Sequence, residues 1–445
     1  MLVAHINRLN FVRMIEMRIA FATLGCKVNQ YETEALTEIF AADGFEIVPP
    51  EAFADIYALN SCTVTAESDR KVRRLLRRFR RQNPDAIICL CGCMPQAFPE
   101  KAAALSEADI VLGTKQRAGL LSAVKEQLAR RGRYINIAAH MQGDIIEPLK
   151  IKSFSEHTRA FVKIQDGCER FCTYCIIPHA RGPVRSKPPE ELHRELIELV
   201  RAGYSEIVLV GINLSCYGSE LGLSLIDAIR LACGVEGIER VRLGSLEPEL
   251  LSDADIAEMA RLPQLCPQFH LSLQSGCDET LRRMGRHYDT AEYSRIVETL
   301  RKSFEDCAIT TDIMVGFPGE SEEEFEKSLS FAKEIAFARA HVFAYSIRPG
   351  TPAAKLSGQI PKQEKLKRSR EMIALTTKSQ QEFLESMVGK TVNMLPEQRR
   401  EDGRWEGYSE NYTHVLAAHP GGTGDESISV LLTGVEGESC VGIGL

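Results

Sequence analysis

The sequence predicts an α/β protein with three parts: an N-terminal parallel α/β sheet domain, a central complete or partial (β/α) barrel, and a small C-terminal antiparallel β-barrel. Two successive regions alternate short apolar strands with longer helices, which is typical of parallel sheets. The last region is instead rich in Gly, Thr, Val and Tyr and contains short strand-like runs. A length of 445 residues is enough for about three domains.

The N-terminal domain is predicted over residues 17–135. Its predicted strands are 18–23, 55–60, 86–91 and 109–113, and its predicted helices are 31–42 and 67–82. In parallel α/β sheets the functional loops follow the carboxyl ends of the strands. Cys26, Cys62 and Cys93 each come just after such a strand end, so we expect the three thiols to meet at one edge of the sheet.

Two stretches have no predicted domain. Residues 1–16 form an extension before the first strand, and Met17 is an alternative start, so the translation of this extension stays open. Residues 131–157 contain Gly132, Gly143 and Pro148 without a strand or helix pattern, and we interpret them as a connection.

The central domain is predicted over residues 155–380. Its six predicted strands are 160–165, 206–210, 240–244, 269–273, 309–315 and 340–346, with helices between them such as 189–202 and 322–335. Six strand–helix units suit a complete or partial barrel. A charged helix is predicted at 362–387, and the C-terminal barrel at 387–445.

Charge and composition limit the function. The chain carries 54 Lys and Arg residues against 61 Asp and Glu residues, a net charge of −7. Nucleic-acid binding would therefore need a local basic patch. No apolar run reaches the roughly 18 residues that a membrane span needs, so we expect no membrane partner. Fourteen cysteines without a secretory signal indicate cytosolic thiols and a cytoplasmic protein.

The segment Cys168-Glu-Arg-Phe-Cys172-Thr-Tyr-Cys175 directly follows a predicted strand. Three thiolates on one tight loop can bind three corners of a [4Fe–4S] cube and leave the fourth iron open for a ligand. A zinc site with His179 as fourth ligand is the alternative.

Cys26, Cys62 and Cys93 are dispersed along the N-terminal domain. Three thiolates at one sheet edge could hold a second cluster. Buried structural cysteines are the alternative, because a free cysteine packs as a small apolar side chain. Cys89 and Cys91 alternate within a strand and are interpreted as structural.

A basic run covers residues 70–81. Its apolar residues recur at helical spacing, which predicts an amphipathic helix with basic residues off the apolar stripe. Those basic residues are Arg70, Lys71, Arg73, Arg74, Arg77, Arg78, Arg80 and Arg81. A phosphate-binding surface and an ordinary solvated face both stay open.

Aromatic residues of the C-terminal barrel lie near arginines in the sequence. Trp405, Tyr408 and Tyr412 are close to Arg399, Arg400 and Arg404. Such pairs suit stacking on unpaired bases, and core packing is the alternative.

From residue 17 onward the sequence resembles the radical S-adenosylmethionine methylthiotransferase family. The ordered motifs are TLGCKVNQYE, NSCTVT, GCMPQ, CERFCTYC, RLGSLEP, HLSLQSGCDETLRRMGRHY, TDIMVGFPGE and FAYSIRPGTPA. The C-terminal region resembles the family's TRAM domain, a small RNA-binding β-barrel. The resemblance implies that the central domain is the family's radical S-adenosylmethionine core, a partial (β/α) barrel.

The resemblance implies two [4Fe–4S] clusters. The catalytic radical cluster would be held by Cys168, Cys172 and Cys175, and the auxiliary cluster by Cys26, Cys62 and Cys93. Tyr174 would lie near the adenine of S-adenosylmethionine. Further residues expected around the cofactor or substrate are Gly211, Glu247, Ser272, Gln274 and Asp312.

The implied reaction uses S-adenosylmethionine both as methyl donor and as radical source. The implied partners are the tRNA anticodon loop, an electron donor such as flavodoxin or ferredoxin, and a sulfur source. KVNQYE resembles the branch that methylthiolates C2 of N6-threonylcarbamoyladenosine at position 37 of tRNA. The alternatives are the branch acting on N6-isopentenyladenosine and the branch acting on a ribosomal-protein aspartate. Met94-Pro95 departs from the Tyr-Ala usual after the third cysteine, which puts the shape of that loop in doubt.

Overall fold

A computed structural model describes residues 17–130, 132–151, 158–418 and 427–445. The expectations for residues 1–16 and for part of the connection at 131–157 lie outside these ranges. The described residues divide into two compact units. The first comprises described residues of Met1–Lys152, Gln165–Lys187 and Ser346–Thr351, and the second those of Ser153–Ile164, Pro188–Tyr345 and Pro352–Leu445.

The elements of the described residues are as follows. The strands are β1 (Arg18–Thr23), β2 (Glu46–Val48), β3 (Ile56–Ser61), β4 (Ile87–Gly92), β5 (Ile110–Leu112), β6 (Tyr134–Asn136), β7 (Ala160–Lys163), β8 (Gln165–Asp166), β9 (Arg185–Ser186), β10 (Glu206–Val210), β11 (Arg240–Leu243), β12 (Ser245–Leu246), β13 (Gln268–Leu271), β14 (Ala308–Val315), β15 (Arg339–Ala344), β16 (Thr391–Arg399), β17 (Trp405–Tyr408), β18 (His414–Ala418), β19 (Ile428–Glu436) and β20 (Ser439–Gly444). The α-helices are α1 (Lys27–Ala42), α2 (Ala66–Gln82), α3 (Cys93–Ala97), α4 (Pro99–Ala103), α5 (Leu120–Ala129), α6 (Ile177–Arg181), α7 (Pro189–Arg201), α8 (Leu225–Cys233), α9 (Asp253–Met259), α10 (Asp278–Met284), α11 (Thr290–Ser303), α12 (Glu322–Ile335) and α13 (Lys362–Met387).

The first unit is built on a six-stranded sheet in the order β2-β1-β3-β4-β5-β6. Every pairing in it is parallel, which confirms the predicted fold class of this region. The strands β2 and β6 were not predicted, because both are three-residue edge strands with little buried apolar surface. The prediction of a featureless connection at 131–157 was wrong for β6, which pairs with β5.

Helix α2 packs one face on this sheet and presents the other to solvent. Val72, Leu76 and Phe79 are buried, and the ring of Phe79 stacks on that of Tyr57 at 4.6 Å between centroids. Thr65 caps the helix by accepting a hydrogen bond from the backbone N–H of Ser68. The helix is therefore amphipathic, as the sequence pattern predicts. Its apolar stripe is buried and its basic residues face outward.

The second unit contains the six predicted barrel strands. β7, β10 and β11 form one parallel sheet, and β12, β13, β14 and β15 form another. Gly244 separates β11 from β12, so one predicted strand continues as two short strands in adjacent sheets. The pairings follow chain order from β7 to β15, as in a partial (β/α) barrel.

The C-terminal strands close into a five-stranded barrel in the order β16-β17-β18-β20-β19. Four pairings are antiparallel, but β18 and β20 pair in parallel. A closed barrel with an odd number of strands cannot be antiparallel throughout, which explains this departure from the prediction. Leu384 and Met387 at the end of α13 pack into the barrel core. The charged helix at 362–387 therefore has a partner.

A buried cluster of charges and rings, which we call the arginine clasp, joins the β-barrel to the partial barrel within the second unit. The carboxylate of Glu206 in β10 accepts hydrogen bonds from Arg240 and Arg242 of β11. Arg242 also donates to the carbonyl oxygens of Ser409 at 2.7 Å and Glu410 at 2.6 Å, beyond β17. These contacts fix one face of the small barrel by charge-assisted hydrogen bonds.

Two tyrosines complete the arginine clasp. The rings of Tyr408 and Tyr412 stack at 4.5 Å, with the guanidinium of Arg159 4.9 Å from the first ring and that of Arg242 4.9 Å from the second. Arginines of the same unit therefore already contact these two rings, which favours the packing alternative over base stacking. Trp405 packs against the barrel core, which agrees with the core alternative.

We predict that Glu206→Ala destabilises the second unit. Removing one partner of a buried ion pair costs about 3–5 kcal/mol, since the remaining charges stay buried without compensation. Calorimetry should show a lower melting temperature than in the wild type. Arg404→Ala, which removes surface ion pairs to Asp402 and Glu436, is the control and should melt almost as the wild type does. Equal melting of Glu206→Ala and wild type would contradict a stabilising clasp.

The same carboxylate gives this stability a pH dependence. Burial alone would raise the pKa of Glu206, but the charge and hydrogen bond of Arg242 lower it below its ordinary value. A lowered folded-state pKa gives stability that is complete above the ordinary glutamate pKa of about 4.3 and is lost as the pH falls through the lowered value.

Candidate metal centres

Three cysteines lie at one edge of the first unit's sheet. Cys26 immediately precedes α1, Cys62 follows β3, and Cys93 begins α3 directly after β4. β1, β3 and β4 are neighbouring parallel strands, so the loops that follow them share the carboxyl edge. This is the arrangement that the strand pattern predicts.

The three thiols interact electrostatically. Burial raises the pKa of Cys93 to about 11; Arg181 opposes this rise, and the nearby Cys62 and Cys26 add to it. Burial likewise raises the pKa of Cys62, and Cys26 adds to that rise. Binding of a metal cluster keeps such thiols deprotonated and relieves the repulsion between the thiolates. The donor set therefore fits a cluster held by three thiolates.

A glycine turn places Cys93. Gly92 has φ +99°, a conformation that favours glycine. A Cβ at this position would lie 2.5 Å from Oδ1 of Asn60 and 2.6 Å from the carbonyl oxygen of Ser61, the last two residues of β3 before Cys62. The loops of Cys62 and Cys93 can therefore approach each other only with glycine here.

The segment with three closely spaced cysteines forms a loop between β8 and α6. The backbone N–H of Cys168 donates to the carbonyl of Gly182 at 3.0 Å, and that of Cys175 donates to the carbonyl of Cys172 at 2.9 Å. Gly167, with φ +80°, lies so close to the backbone of Pro183 that no Cβ fits. The loop is thus closed at its base, which keeps the three cysteines within one short turn.

Around this loop lie a groove and two predicted residues. A groove of about 470 Å³ reaches Cys168 and is also lined by Phe171, His140 and His179. His179, considered above as a zinc ligand, is exposed and packs edge-on against Phe171. Tyr174 lies inside the loop and is half-buried.

Arg181, at the end of α6, connects the two sets of cysteines within the first unit. Its side chain is fully buried, and its Nε donates to the sulfur of Cys93 at 3.2 Å. Its Nη2 donates to Oδ1 of Asn29 at 3.0 Å, and it forms an ion pair with the carboxylate of Glu32. Arg181 also forms an ion pair with the carboxylate of Asp166 in β8, at 3.3 Å.

Glu32 in α1 receives a second buried arginine. Arg117 pairs with Glu32 and with Glu147, at 2.8 Å from the latter. Asn29, one turn earlier in α1, accepts from the thiol of Cys26 at 3.5 Å and donates to the carbonyl of Ser61 at 3.2 Å. Asn29 and Glu32 therefore support the segments that carry the strand-end cysteines.

The sequence reading missed Asn29, Glu32 and Arg181. A signal for the first two was present: they occupy the same helical stripe as Leu36 and Phe40, so polar side chains stand where the pattern calls for apolar ones. The polarity of Asn29 also explains why the helix is predicted from residue 31 although it begins at Lys27. No local pattern marked Arg181.

The second unit carries the other residues predicted around the cofactor or substrate. Gly211, Glu247 and Ser272 directly follow β10, β12 and β13, at carboxyl strand ends. The carboxylate of Glu247 pairs with Arg286, which also donates to the carbonyl of Ser272.

The remaining two predicted residues lie next to each other. Gln274 has φ +65°, and its backbone N–H donates to the carbonyl of Asp312 at 2.8 Å. Asp312 lies within β14, not after it, and its carboxylate is 3.5 Å from Nε2 of His270. The strand-end argument therefore does not hold for Asp312.

The basic residues of α2 divide into two groups. Arg70, Arg73, Arg74, Arg77 and Arg81 line a groove of about 420 Å³ on the outer face. Arg78 instead donates to the carbonyl of Pro50 and to Glu51, and Arg80 pairs with Asp109 at 2.7 Å. Arg78 and Arg80 are thus engaged within the protein, and Arg70 and Arg77 of the groove pair with Glu67 and Glu107. The eight-residue phosphate-binding set stays a prediction.

Within residues 17–130, 132–151, 158–418 and 427–445, no group of three His, Cys, Asp or Glu side chains surrounds the position of a single metal ion. A cube-shaped cluster does not need such a point, because each thiolate binds a different iron. Over the same residues, no helix has the length and apolar character needed to cross a bilayer.

Comparison with known proteins identifies the family. Residues 18–113 match the uncharacterized protein family UPF0004, and residues 162–332 match the radical SAM superfamily. The chain is 39% identical over 409 residues to the threonylcarbamoyladenosine tRNA methylthiotransferase MtaB of Bacillus subtilis (strain 168), which covers 89% of this chain and 90% of that protein. This chain belongs to the radical S-adenosylmethionine methylthiotransferase family. The resemblance drawn from the motifs is confirmed.

Two further relatives complete the comparison. A tRNA-2-methylthio-N(6)-dimethylallyladenosine synthase of Pelotomaculum thermopropionicum is 33% identical over 433 residues, which cover 94% of this chain and 96% of that protein. The radical S-adenosylmethionine methyltransferase TsrM of Kitasatospora setae, solved with cobalamin and a [4Fe–4S] cluster, has a similar fold, with a TM-score of 0.57 and 13% identity. That match covers 76% of this chain and 74% of TsrM.

Family membership confirms the expected enzyme class and cofactors. The methylthiotransferase transfers a sulfur-containing group and uses [4Fe–4S] clusters and S-adenosylmethionine. Which cysteines hold the clusters stays a prediction.

We predict that Gly92→Ala removes one cluster and spares the other. The added Cβ forces the loops of Cys62 and Cys93 apart, whereas the loop at 168–175 is not touched. Iron analysis after anaerobic reconstitution should fall from about eight to about four per chain. Gly119→Ala is the control, because a Cβ there meets no atom within 4 Å, and it should keep about eight irons. Full iron loading of Gly92→Ala would contradict the need for this turn.

Proposed function

We propose that the enzyme methylthiolates C2 of N6-threonylcarbamoyladenosine at position 37 of tRNA, giving 2-methylthio-N6-threonylcarbamoyladenosine. The observation that carries this proposal is the 39% identity to the Bacillus subtilis threonylcarbamoyladenosine tRNA methylthiotransferase over nearly the whole of both chains. The KVNQYE segment, whose Asn29 and Glu32 support the cysteine loops, points to the same branch.

In this proposal the two cysteine sets have different tasks. Cys168, Cys172 and Cys175 hold the radical cluster, with one iron left for S-adenosylmethionine. The strand-end set of Cys26, Cys62 and Cys93 holds the auxiliary cluster. The mutual electrostatic effects of the strand-end thiols and the closed base of the 168–175 loop support this division.

When bound, S-adenosylmethionine would supply the methyl group and the carbon-centred radical, and the clusters would relay the electron of the external donor and hold the sulfur delivered by the sulfur source. The chain's own residues hold and orient these groups. Tyr174 and the strand-end residues Gly211, Glu247 and Ser272, together with Gln274 and Asp312, are proposed to contact S-adenosylmethionine or the substrate nucleoside. Glu247 is already oriented for such a role by its pair with Arg286.

The tRNA backbone is proposed to lie on the outer face of α2. Five arginines line one groove there, whereas residues 388–445 carry four Lys and Arg against nine Asp and Glu, a net charge of −5. Phosphates are attracted by a dense positive face and repelled by a net negative one. The tyrosines of the barrel are also covered by the arginine clasp.

A second candidate is methylthiolation of N6-isopentenyladenosine, supported by the 33% identity to the dimethylallyladenosine synthase. The third branch, which acts on a ribosomal-protein aspartate, fits the arginine groove less well. Beyond the tRNA, the proposed partners are an electron donor such as flavodoxin or ferredoxin and a sulfur source, and the proposed location is the cytoplasm.

Mass spectrometry of tRNA nucleosides tests the function. A strain that lacks this gene should lose 2-methylthio-N6-threonylcarbamoyladenosine and accumulate the unthiolated nucleoside, and the wild-type gene should restore it. The genes for Cys172→Ala and Cys62→Ala should not restore it. If the product persists without the gene and the isopentenyl derivative disappears instead, the second candidate is correct.

The same two variants separate the tasks of the two cysteine sets in vitro. Under reducing conditions, Cys62→Ala should still cleave S-adenosylmethionine, whereas Cys172→Ala should not. Retained cleavage in Cys172→Ala would contradict the assignment of the radical cluster.

We predict that Arg73→Glu/Arg74→Glu/Arg77→Glu weakens tRNA binding. Loss of three phosphate contacts should also reduce the slope of log K against log salt by about 2 to 3. Filter binding of tRNA at several salt concentrations measures both effects.

The matched control reverses three charges on the barrel, in Arg399→Glu/Arg400→Glu/Arg404→Glu. It should bind tRNA nearly as the wild type does. Equal weakening by the two triple variants would contradict the assignment of the phosphate contacts to α2.

A further inference from the structure

Arg181 has no part in the function proposed so far, although it touches a cluster ligand. It lies on α6, six residues after Cys175, and its side chain is fully buried. Its Nε donates to the sulfur of Cys93 at 3.2 Å. A positive charge is thus held against a sulfur of the set assigned to the auxiliary cluster.

The rest of the guanidinium is fixed by oxygen acceptors. Both oxygens of the Glu32 carboxylate accept hydrogen bonds from it, and Oδ1 of Asn29 accepts a third at 3.0 Å. A planar guanidinium held at both terminal nitrogens has no freedom to rotate. Its Nε–H is therefore directed at the sulfur by the fold.

The ion pairs around Arg181 join it to other buried arginines and carboxylates of the first unit. The buried set contains three arginines, Arg117, Arg181 and Arg185, and three carboxylates, which are those of Glu32, Glu147 and Asp166. Among the contacts of these arginines, the one from Arg181 reaches a strand-end sulfur directly.

We propose that Arg181 is a positioning residue of the auxiliary centre, which orients the Cys93 sulfur and raises the reduction potential of the cluster bound there. Hydrogen bonds to ligand sulfurs and nearby positive charge stabilise the added electron of the reduced cluster. This inference rests on the proposed assignment of Cys26, Cys62 and Cys93 as auxiliary ligands.

Arg117 offers a matched comparison. It is as fully buried as Arg181 and pairs with the same Glu32. Its guanidinium donates to Glu32, to Glu147 and to the carbonyl oxygen of Thr114. Loss of Arg117 therefore removes a buried charge of the same network but no hydrogen bond to a strand-end sulfur.

The test measures a reduction potential. The full-length chain with Cys168→Ala, Cys172→Ala and Cys175→Ala keeps only the auxiliary cluster, and a redox titration followed by electron paramagnetic resonance gives its midpoint. Adding Arg181→Gln should shift the midpoint to a more negative potential. Arg181→Lys keeps the positive charge and should shift the midpoint potential in the same direction by a smaller amount. If Arg181→Gln does not take up iron, the midpoint of Arg181→Lys is the test. Arg117→Gln should shift it less than Arg181→Gln.

Three outcomes would overturn the proposal. An unchanged midpoint in both Arg181 variants would show that the contact does not act on the cluster. Equal shifts in Arg181→Gln and Arg117→Gln would show a general effect of buried charge. If the triple cysteine variant binds no four-iron cluster, the auxiliary ligand assignment itself fails, which separates failure of the proposed function from failure of this inference.

Discussion

The first unit depends on one buried carboxylate. Glu32 is fully buried and pairs with Arg117 and Arg181, which are also fully buried and come from distant parts of the chain. Charges removed from water are tolerated only when each has a partner, and removing one partner of such a pair costs about 3–5 kcal/mol. The Glu32 network therefore forces α1, the segment at 114–117 and α6 into one arrangement. The Glu32 network thereby also fixes the positions of the cysteines that lie in or next to these elements.

This arrangement explains how thiols that are far apart in sequence act together. The parallel sheet brings three loops to one edge, but a sheet edge alone leaves each loop free to choose its own conformation. Gly92 allows the loops of Cys62 and Cys93 to approach, and Asn29 links the Cys26 turn to the Ser61 carbonyl. Rigid support by outer residues is what metal ligands generally require.

The second unit also contains a buried carboxylate that pairs with arginines, and there the ion pairs hold the small barrel. Glu206 gathers three arginines, and two of them cover the tyrosine pair of the small barrel. The tyrosine pair, for which the sequence suggested stacking on bases, thereby helps to fix the barrel. The apolar stripe of α2 turns its basic face outward, and five arginines line a groove there.

The sequence by itself determined the secondary structure and the ligand candidates, because both follow from local patterns. β1 and β10 were predicted to the residue, and the six cysteines were found from their spacing and their position after strands. Tertiary structure alone decided which polar residues support those cysteines and which arginines remain exposed. Arg181 and Arg117 reach Glu32 from 149 and 85 residues away, and Tyr412 is contacted by Arg242 from β11 of the same unit. Such pairings leave no periodic trace in the sequence, since they depend on how separate elements pack and not on any local spacing.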